Sequence, residues 1–531
     1  MKRVLWSGVI ALALVATPSF AAPPAFDFAS LGPQASPETV GTLRDPGARA
    51  AEMRTLHERL TASQVEKALS RPIVVQLTEA ERHRINDPGR VERRYMVGLA
   101  KPVGKTINFA PARSLDKRVA DLALGTARGT GGDSFVWTAA VRVPGATALR
   151  LHLTGFDLPP GAKLYVYNRA GQAFGPYTGR GPLGDGVLHT NTVFGEQLLL
   201  QMRSPADTER APRLTLAQVG VMGARFVVPR YRPEGVFDPN DLDALSKASN
   251  LCSINANCVV NAACQSSAAV NVAKDAVAGM LYLSGNSYYI CTGGLIADNV
   301  ATSVIPYFLT ANHCISRSSE AASLETYFDY ETTCSNPNCT QPYNNTGETV
   351  GATIKATGST SDFTLLQLSS TPTSPDGVVT YLGWLSTAVA NTNNLALYRI
   401  SHPQGSPQSY TEGVVDVNKP TCRSLARGNF IYSRDTIGAT EGGSSGSPVI
   451  NGSGQVVGQL YGGCGTNIND VCDAASNATV DGAFAVSYPS VASFLNPGSG
   501  GTCSPTGATC TSNSQCCSNS CKVSAGVKRC K

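Results

Sequence analysis

Residues 442–450 read Gly442-Gly443-Ser444-Ser445-Gly446-Ser447-Pro448-Val449-Ile450, a turn of small residues that runs straight into an apolar strand. Glycines on both sides of the serine pair let the backbone bend sharply. With such a bend, the amides of Gly443 and Ser445 can point together at an oxygen on which charge develops during acyl transfer. Ser445 is therefore a candidate nucleophile, although a Gly/Ser-rich loop without a catalytic role explains this stretch equally well when it is taken alone.

The same stretch contains the pattern Gly442-x-Ser444-x-Gly446, which matches the nucleophile elbow of α/β-hydrolases. Those enzymes need a histidine after the serine in the chain. This chain has no histidine beyond His402, so chain order excludes that alternative.

A serine hydroxyl is a weak nucleophile at neutral pH and needs a base to take its proton. Only His313 and His402 follow residue 251. His313 ends the run Phe308-Leu309-Thr310-Ala311-Asn312-His313, which predicts a base at the end of an apolar strand. His402 lacks this context, and a structural role is the favoured interpretation for it.

The third member of such a site is a carboxylate that orients the imidazole and stabilises its cation. Asp362 fits best, because it begins the otherwise apolar strand Phe363-Thr364-Leu365-Leu366-Gln367-Leu368. Asp329 and Asp376 have more polar neighbours, which favours solvated positions for both.

Three motifs thus follow one another along the chain: Thr310-Ala311-Asn312-His313-Cys314, Ser361-Asp362-Phe363-Thr364-Leu365-Leu366 and Gly443-Ser444-Ser445-Gly446-Ser447-Pro448. In this order they resemble the chymotrypsin superfamily, most closely the bacterial lysyl endopeptidase group, over about 252–497. The resemblance implies an all-β domain of two packed barrels with the catalytic groups in the cleft between them. It implies that His313 is the general base, Asp362 its orienting group and Ser445 the nucleophile, with the amides of Gly443 and Ser445 as the oxyanion hole.

The resemblance also implies protein or peptide substrates and a disulfide that brackets the histidine, joining Cys291 to Cys314. The chemistry that it implies requires no cofactor and no metal ion.

One departure from the family concerns activation. Trypsin-like zymogens switch on when a new N-terminal amine pairs with an acid directly before the nucleophile. That position is Ser444 here, which cannot form a charge pair. We therefore expect maturation by loss of a leader, as the lysyl endopeptidase resemblance implies.

A second departure concerns specificity. Neither Ala439, at the position of the pocket acid of trypsin, nor Thr479, aligned with the pocket acid of lysyl endopeptidases, is charged. Asp481 lies two positions further along, and a buried carboxylate at the pocket floor would select Lys or Arg at the cleaved bond. A solvated Asp481 beside a neutral pocket is an equally good interpretation.

Residues 1–21 have the features of an export signal: Lys2 and Arg3, an apolar run over 4–15, and the small-x-Ala end Ser19-Phe20-Ala21. We expect a secreted, extracellular protein, with no further stretch long enough to span a membrane. All 16 cysteines follow residue 251, and behind an export signal they favour disulfides over a zinc site.

Residues 22–247 contain no cysteine and precede a predicted protease domain at 248–497. Alternating apolar residues predict a β-sandwich at about 134–222. The resemblance implies that this leader is a propeptide, a partner that aids folding of the protease and inhibits it for a time. The leader side carries a formal charge of +9 and residues 248–531 carry −4, a pattern that does not favour nucleic acid as a partner.

A Gly- and Ser-rich linker at 498–502 leads to a module at 503–531 with six cysteines and few apolar residues. Such a segment needs disulfides to fold. Its spacing resembles inhibitor cystine knots, which implies the pairs 503 with 517, 510 with 521 and 516 with 530. Its late positive charges, Lys522, Lys528, Arg529 and Lys531, suit an anionic surface or polymer as ligand, although solubility explains them equally well.

The sequence therefore predicts a secreted serine endopeptidase. Two alternatives remain: a catalytically inactive, protease-like binding protein, and a carrier whose cystine-knot module is the effector. The intact set His313, Asp362 and Ser445 favours the enzyme.

Overall fold

The computed structural model describes residues 32–497 except 46, 87–93, 110–118, 132–133, 206–207, 209, 228–251, 253, 301–304, 335–346 and 423. It also describes 509–510, 521–524 and 527–530 of the C-terminal module. The signal at 1–21, the expected processing junction near 247 and the linker at 498–502 lie outside these residues.

The leader is built mainly from strands. Its described helices are α1 (Gly47–Ser63), α2 (Glu66–Leu69), α3 (Glu79–Asn86) and α4 (Ala224–Val227). Its described strands are β1 (Gln34–Ala35), β2 (Glu38–Gly41), β3 (Ile73–Val74), β4 (Tyr95–Asn108), β5 (Val119–Asp121), β6 (Thr126–Gly131), β7 (Ser134–Arg142), β8 (Ala148–Asp157), β9 (Lys163–Tyr167), β10 (Ala173–Tyr177), β11 (Leu188–His189), β12 (Val193–Phe194), β13 (Gln197–Ser204) and β14 (Arg213–Met222).

Two leader sheets pack face to face. One has the order β10-β9-β13-β7-β6-β5 with β3 beside β7, and the other has the order β11-β8-β14-β4 with β12 beside β8. Alternation along β8 explains the packing, because Leu149, Leu151 and Leu153 enter the shared core whereas Arg150 and His152 lie on the opposite face of the sheet, where Arg150 is also buried. The β-sandwich expected after residue 134 is present.

The sandwich also includes strands upstream of residue 134, above all β4. The sequence does not reveal β4 because Gly98, Pro102 and Gly104 interrupt its apolar pattern. The register of β4 with β14 shifts between Leu216 and Gln218, and Gln218 is the residue that pairs with Pro102. The irregularity of the strand therefore accommodates the proline.

The predicted protease domain contains α5 (Ala268–Ala276), α6 (Ser318–Ala322) and α7 (Phe484–Leu495) in its described residues, with 3-10 turns at Ala262–Cys264 and Pro403–Gly405. Its described strands are β15 (Val260–Asn261), β16 (Val277–Ser284), β17 (Ser287–Leu295), β18 (Tyr307–Ala311), β19 (Glu325–Phe328), β20 (Gly347–Val350), β21 (Ala352–Gly358), β22 (Phe363–Leu368), β23 (Val378–Tyr381), β24 (Gly383–Leu385), β25 (Ala396–Ser401), β26 (Ser409–Val415), β27 (Phe430–Ile437), β28 (Pro448–Ile450), β29 (Gln455–Gly465) and β30 (Asn477–Ala483).

Two barrels form from these strands. The first runs β20-β19-β16-β17-β18-β22-β21 and is nearly closed, since β20 and β21 are joined only through Gly351. The second is closed, because β25, β26, β27, β30, β29 and β28 pair in a ring and β28 returns to β25. The expected all-β architecture of two barrels is confirmed.

The leader sheet continues into the first barrel. Strand β4 pairs with β17, with Leu99 opposite Ser287 and Tyr95 opposite Ile290. The N-terminal arm adds β1 beside β24 and β2 beside β23. Strand pairing and a shared apolar cluster therefore join the leader to the protease domain.

A buried ionic contact supplements this junction. Arg150 of the leader donates to the carbonyl of Ser323 at 2.6 Å and lies 3.6 Å from the carboxylate of Glu325. Glu325 also accepts from the hydroxyl of Thr192 at 2.6 Å. Both charged side chains are almost fully buried, so each depends on the other for compensation.

The C-terminal module contains a described hairpin of β31 (Cys521–Ser524) and β32 (Val527–Cys530). Cys510 is joined to Cys521, as the cystine-knot resemblance implied. Cys503, Cys516 and Cys517 lie outside the described residues, so the other two expected pairs stay predictions.

Helices long and apolar enough to cross a membrane do not occur in the described part of the chain.

Candidate active site

The pairing of two strands in the first barrel brings His313 and Asp362 together. Ala311, at the end of β18, lies opposite Phe363, at the start of β22. Residues just beyond these two positions therefore meet at one end of the barrel. Asp362 Oδ2 lies 2.6 Å from His313 Nδ1, and Asp362 Oδ1 accepts from the backbone N–H of His313 at 2.9 Å.

This contact assigns the histidine tautomer. A carboxylate beside Nδ1 favours the proton on that nitrogen, which leaves Nε2 as the basic site. Asp362 is buried at 4% exposure, so its contact with the imidazole is shielded from water. Such a histidine is oriented to accept a proton from a hydroxyl.

Asp362 adopts a backbone conformation that is rare for residues other than glycine, with φ of +54°. Its carbonyl accepts from the backbone N–H of Asn312 at 2.9 Å and from Gln459 Nε2 at 3.2 Å. Gly482 is required nearby, because a Cβ there would lie 1.7 Å from the carbonyl of Ser361. Strained residues held from several sides cluster at functional sites.

Ser445 comes from the second barrel, just before β28. Its carbonyl accepts from the N–H of Thr292, and the adjacent Cys291 is joined by a disulfide to Cys314. Cys314 directly follows His313 in the chain. Ser445 and His313 are therefore connected through one hydrogen bond and one disulfide across the two barrels.

Both halves of the candidate triad border the cleft between the barrels. Ser445 lines one cavity and His313 lines the neighbouring one, and Tyr461 belongs to both. The Tyr461 ring meets the His313 ring edge to face at 5.8 Å. His402 lies elsewhere, buried and stacked on Tyr330, in the kind of structural position that the sequence favoured for it.

The loop that contains Ser445 turns through two glycines with positive φ, Gly443 at +100° before the serine and Gly446 at +82° after it. A Cβ at Gly446 would lie 2.3 Å from Thr310 Oγ1, so no larger residue fits there. The carbonyl of Gly443 accepts from Thr292 Oγ1 at 2.8 Å, which anchors the turn to β17 of the first barrel.

A cavity of about 360 Å³ opens beside Ser445, and Asp435 and Thr479 form part of its wall. Thr479 Oγ1 donates to Asp435 Oδ2 at 2.7 Å. Burial raises the pKa of Asp435 to about 6, although the positive charge of Arg399 and the hydrogen bond from Thr479 lower it. The cavity therefore contains a carboxylate that the sequence had not indicated.

Asp481 does not reach this cavity, which corrects the expectation that it lies at the pocket floor. It is completely buried inside the second barrel and forms an ion pair with Arg399. Two residues along a strand separate Cα atoms by about 6.6 Å, so Asp481 lies one side-chain position beyond Thr479 on the same face of the strand, where it is enclosed with Arg399. Thr479 lines the cavity, and its role in specificity stays a prediction.

Sequence reasoning missed Asp435 because nothing in its own neighbourhood marks it. It lies in β27, and only the pairing of β27 with β30, Ser433 opposite Thr479, brings it beside the cavity. The same holds for Arg399, which β25 contributes to the barrel interior.

Comparison with known proteins places the domain in context. Residues 247–479 match the family model described as lysyl endopeptidase, C-terminal domain. This stretch contains His313, Asp362 and Ser445.

Two curated proteins are similar to the chain. A lysyl endopeptidase of Pseudomonas aeruginosa is 30% identical over 327 residues, which cover 60% of this chain and 65% of that protein. Secreted RxLR effector protein 73 of Plasmopara viticola is 30% identical over 200 residues, which cover 36% of this chain and 46% of that protein. The chain thus spans less than two thirds of either relative.

Among solved structures, the HtrA-type protease AlgW with tripeptide is 16% identical with a TM-score of 0.30, covering 43% of this chain and 63% of that one. Deg5 is 12% identical with a TM-score of 0.29, covering 43% of this chain and 93% of that one.

Proposed function

Because the chain folds as a chymotrypsin-like protease and matches the lysyl endopeptidase domain model, we propose that it is a secreted serine endopeptidase that acts through an acyl-enzyme. The observation that carries the proposal is the contact of 2.6 Å between Asp362 and His313 Nδ1 in a cleft that Ser445 also borders. The lysyl endopeptidase relative supports the same class of activity.

In the proposed reaction, His313 Nε2 takes the proton of the Ser445 hydroxyl while Oγ attacks the carbonyl carbon of the scissile bond. Asp362 stabilises the resulting imidazolium. The tetrahedral intermediate collapses, the C–N bond breaks, and the leaving amine takes the proton from His313. Water, deprotonated by the same histidine, then attacks the acyl-enzyme and releases the acid product, which restores the serine.

The amides of Gly443 and Ser445 are the proposed donors to the oxyanion of the tetrahedral intermediate. Two backbone donors that are fixed before the reaction stabilise developing charge without reorganisation, and each is worth about 100-fold or more in rate.

The enzyme is proposed to prefer Lys or Arg at the cleaved bond. The support comes from Asp435 rather than from Asp481, because Arg399 already compensates Asp481 inside the barrel. Asp435 borders the cavity beside Ser445 and accepts a hydrogen bond from the neutral hydroxyl of Thr479. A substrate cation in this cavity would therefore meet a carboxylate.

The leader is proposed to act as a folding aid and temporary inhibitor. Its support is the extent of the junction: β4 extends the sheet of the first barrel, and the N-terminal arm pairs with β23 and β24. A template for β17 would help to order a barrel whose strands are far apart in sequence.

The C-terminal module is proposed to bind an anionic surface or polymer. Lys522 pairs across the hairpin with Arg529, and both side chains, like that of Lys528, are exposed. Neighbouring positive charges on one small hairpin suit a polyanionic ligand.

The test is digestion of an unfolded protein with enzyme matured from the full chain and with its Ser445→Ala variant, followed by mass spectrometry of the new termini. We expect cleavage by the parent alone, with termini clustered after Lys and Arg. Equal cleavage by both would refute the serine mechanism, and clustering after apolar residues would refute the basic preference. If neither cuts, the binding-protein alternative becomes the better one.

A further inference from the structure

We propose that Gln404 is a positioning residue of the oxyanion hole. Its backbone hydrogen bond to the carbonyl of Gly442 orients the N–H of Gly443, and this contact does not involve a free chain terminus. The inference deepens the proposed serine mechanism and rests on it.

Hydrogen bonds fix the directions of the backbone N–H groups of Gly443 and Ser445. In a planar trans peptide, the C=O and the N–H point in opposite directions. The carbonyl of Gly442 accepts from the N–H of Gln404 at 2.6 Å, so the N–H of Gly443 in the same peptide unit points away from Gln404. The carbonyl of Ser444 accepts from the N–H of Ser447 at 3.0 Å, which directs the N–H of Ser445 in the same manner.

Gln404 combines a left-handed backbone conformation with two side-chain hydrogen bonds. Its φ of +53° and ψ of 24° lie in the left-handed region, which is less favourable for a residue with a side chain than for glycine. The side chain offsets this cost, because Nε2 donates at 3.0 Å both to the carbonyl of Ile254 and to Glu441 Oε1. Gln404 therefore holds the loop from its backbone and from its side chain.

Glu441, the first residue of the loop, accepts hydrogen bonds from three donors. Its carboxylate accepts from Asn255 Nδ2 at 2.7 Å and from the N–H of Ala256 at 3.0 Å, in addition to Gln404. Asn255 is buried at 6% exposure and accepts from Ser406 Oγ at 2.9 Å. Charge-assisted hydrogen bonds of this kind are stronger than neutral ones.

These donors all lie within the chain. In the chymotrypsin-type arrangement that the sequence resembles, a new terminal amine orders this loop through an acid before the nucleophile. Ser444 occupies that position here and receives a hydrogen bond from the hydroxyl of Ser401 at 3.0 Å. The loop is thus ordered here by the hydrogen bonds that Glu441 accepts from Asn255 and Gln404.

The experiment compares enzyme matured from the full chain with its Gln404→Gly variant. Glycine keeps the backbone N–H and the positive φ but removes both side-chain contacts. Asn394→Gly is the matched control, because Asn394 also has positive φ, at +63°, and is exposed. Its N–H donates to the carbonyl of Val415, away from the cleft.

Two ligands distinguish binding at the oxyanion hole from binding in the rest of the cleft. A peptide aldehyde forms a tetrahedral adduct whose oxygen occupies the hole, whereas the matching peptide alcohol fills the same subsites without an adduct. We expect Gln404→Gly to weaken the aldehyde and to lower kcat, each by about 10- to 100-fold, less than the loss of a whole donor. Alcohol affinity and KM should stay as in the parent, and Asn394→Gly should match the parent throughout.

A second pair of variants covers the case in which Gln404→Gly folds poorly. Glu441→Gln keeps one acceptor oxygen and should retain part of the aldehyde affinity that Glu441→Ala loses. Unchanged aldehyde affinity in Gln404→Gly, or equal losses for aldehyde and alcohol, would overturn the positioning role. A parent enzyme whose Ser445 fails to react with a fluorophosphonate probe would instead refute the serine mechanism.

Discussion

Thr479 donates its hydroxyl to Asp435 across 2.7 Å at the wall of the cavity beside Ser445, while Asp481, two residues further along the same strand, is paired with Arg399. Two carboxylates from neighbouring strands thus have different partners. The guanidinium of Arg399 forms an ion pair with Asp481, whereas Asp435 accepts its hydrogen bond from a neutral hydroxyl and is influenced by Arg399 only through its charge. The charge of Asp435 is therefore available to a cationic substrate side chain.

We expect Asp435→Asn to lower kcat/KM for substrates with Lys or Arg at the cleaved bond by about 100-fold, because a lost charge partner in a desolvated site costs about 2–5 kcal/mol. Substrates with a neutral side chain at that position should change little. The measurement is kcat/KM for matched peptides that differ only there. Asp416→Asn, which alters an acid of the same barrel outside the cavity, is the control. Unchanged selectivity in Asp435→Asn would rule out this residue as the determinant.

The selectivity should also depend on pH. The pKa of Asp435 is raised to about 6, chiefly by burial, so the carboxylate is charged at pH 7 and mostly neutral at pH 5. We expect the ratio of kcat/KM for a Lys peptide to that for a Met peptide to fall about tenfold between pH 7 and pH 5. A pH effect on the catalytic step itself is common to both peptides and cancels in the ratio. A ratio independent of pH would contradict the assignment.

Asp481 should matter for stability rather than for selectivity. Asp481→Asn leaves Arg399 charged and fully buried without its partner, which we expect to lower the free energy of unfolding by about 3–5 kcal/mol. Denaturant unfolding measures the change. Replacing both residues, Arg399→Met with Asp481→Leu, should recover much of the loss. If Asp481→Asn folds as well as the parent but loses its preference for Lys, the ion pair is not its main role.

The leader contains a pair of stacked histidines, His152 and His189, whose ring centroids are 4.1 Å apart. Burial lowers the pKa of both below 6.5, and the positive charge of the neighbouring Arg150 lowers them further, while the hydrogen bond that Gln218 Oε1 accepts from His152 Nδ1 raises the pKa of His152. Glu325 of the protease domain is the acid that faces Arg150. The unfolded chain therefore binds protons that the folded chain does not.

Folding stability should consequently fall as the pH drops below about 6.5, by up to about 1.4 kcal/mol per pH unit for His189. We expect His189→Gln to reduce the slope of unfolding free energy against pH between 6.5 and 5. His83→Gln, which alters an exposed histidine in α3, should leave the slope unchanged. Denaturant titrations of the full chain at both pH values provide the measurement, and equal slopes in all three proteins would refute the prediction.

The fold class and the candidate triad could be predicted from the sequence because their signals are local. His313, Asp362 and Ser445 each stand at the boundary between an apolar strand and a polar turn, and chain order alone excluded the rival elbow motif. The alternation of leucines in β8 likewise predicts a sheet with one buried face. These patterns depend only on neighbours along the chain.

Other features depend on which distant strands pair. They are the position of Asp435 at the cavity, the buried ion pair of Arg399 with Asp481, and the hydrogen bonds of Gln404 to the loop before Ser445. Asp435 meets Thr479 only because β27 pairs with β30, and Gln404 meets Glu441 only because the loops before β26 and β28 converge on residues 254–256. The sequence by itself indicated Asp481 as a candidate acid for the pocket. The tertiary structure decided that Asp435 borders the cavity and that Asp481 is enclosed with Arg399, because closure of the barrel sets which side chains reach the cavity.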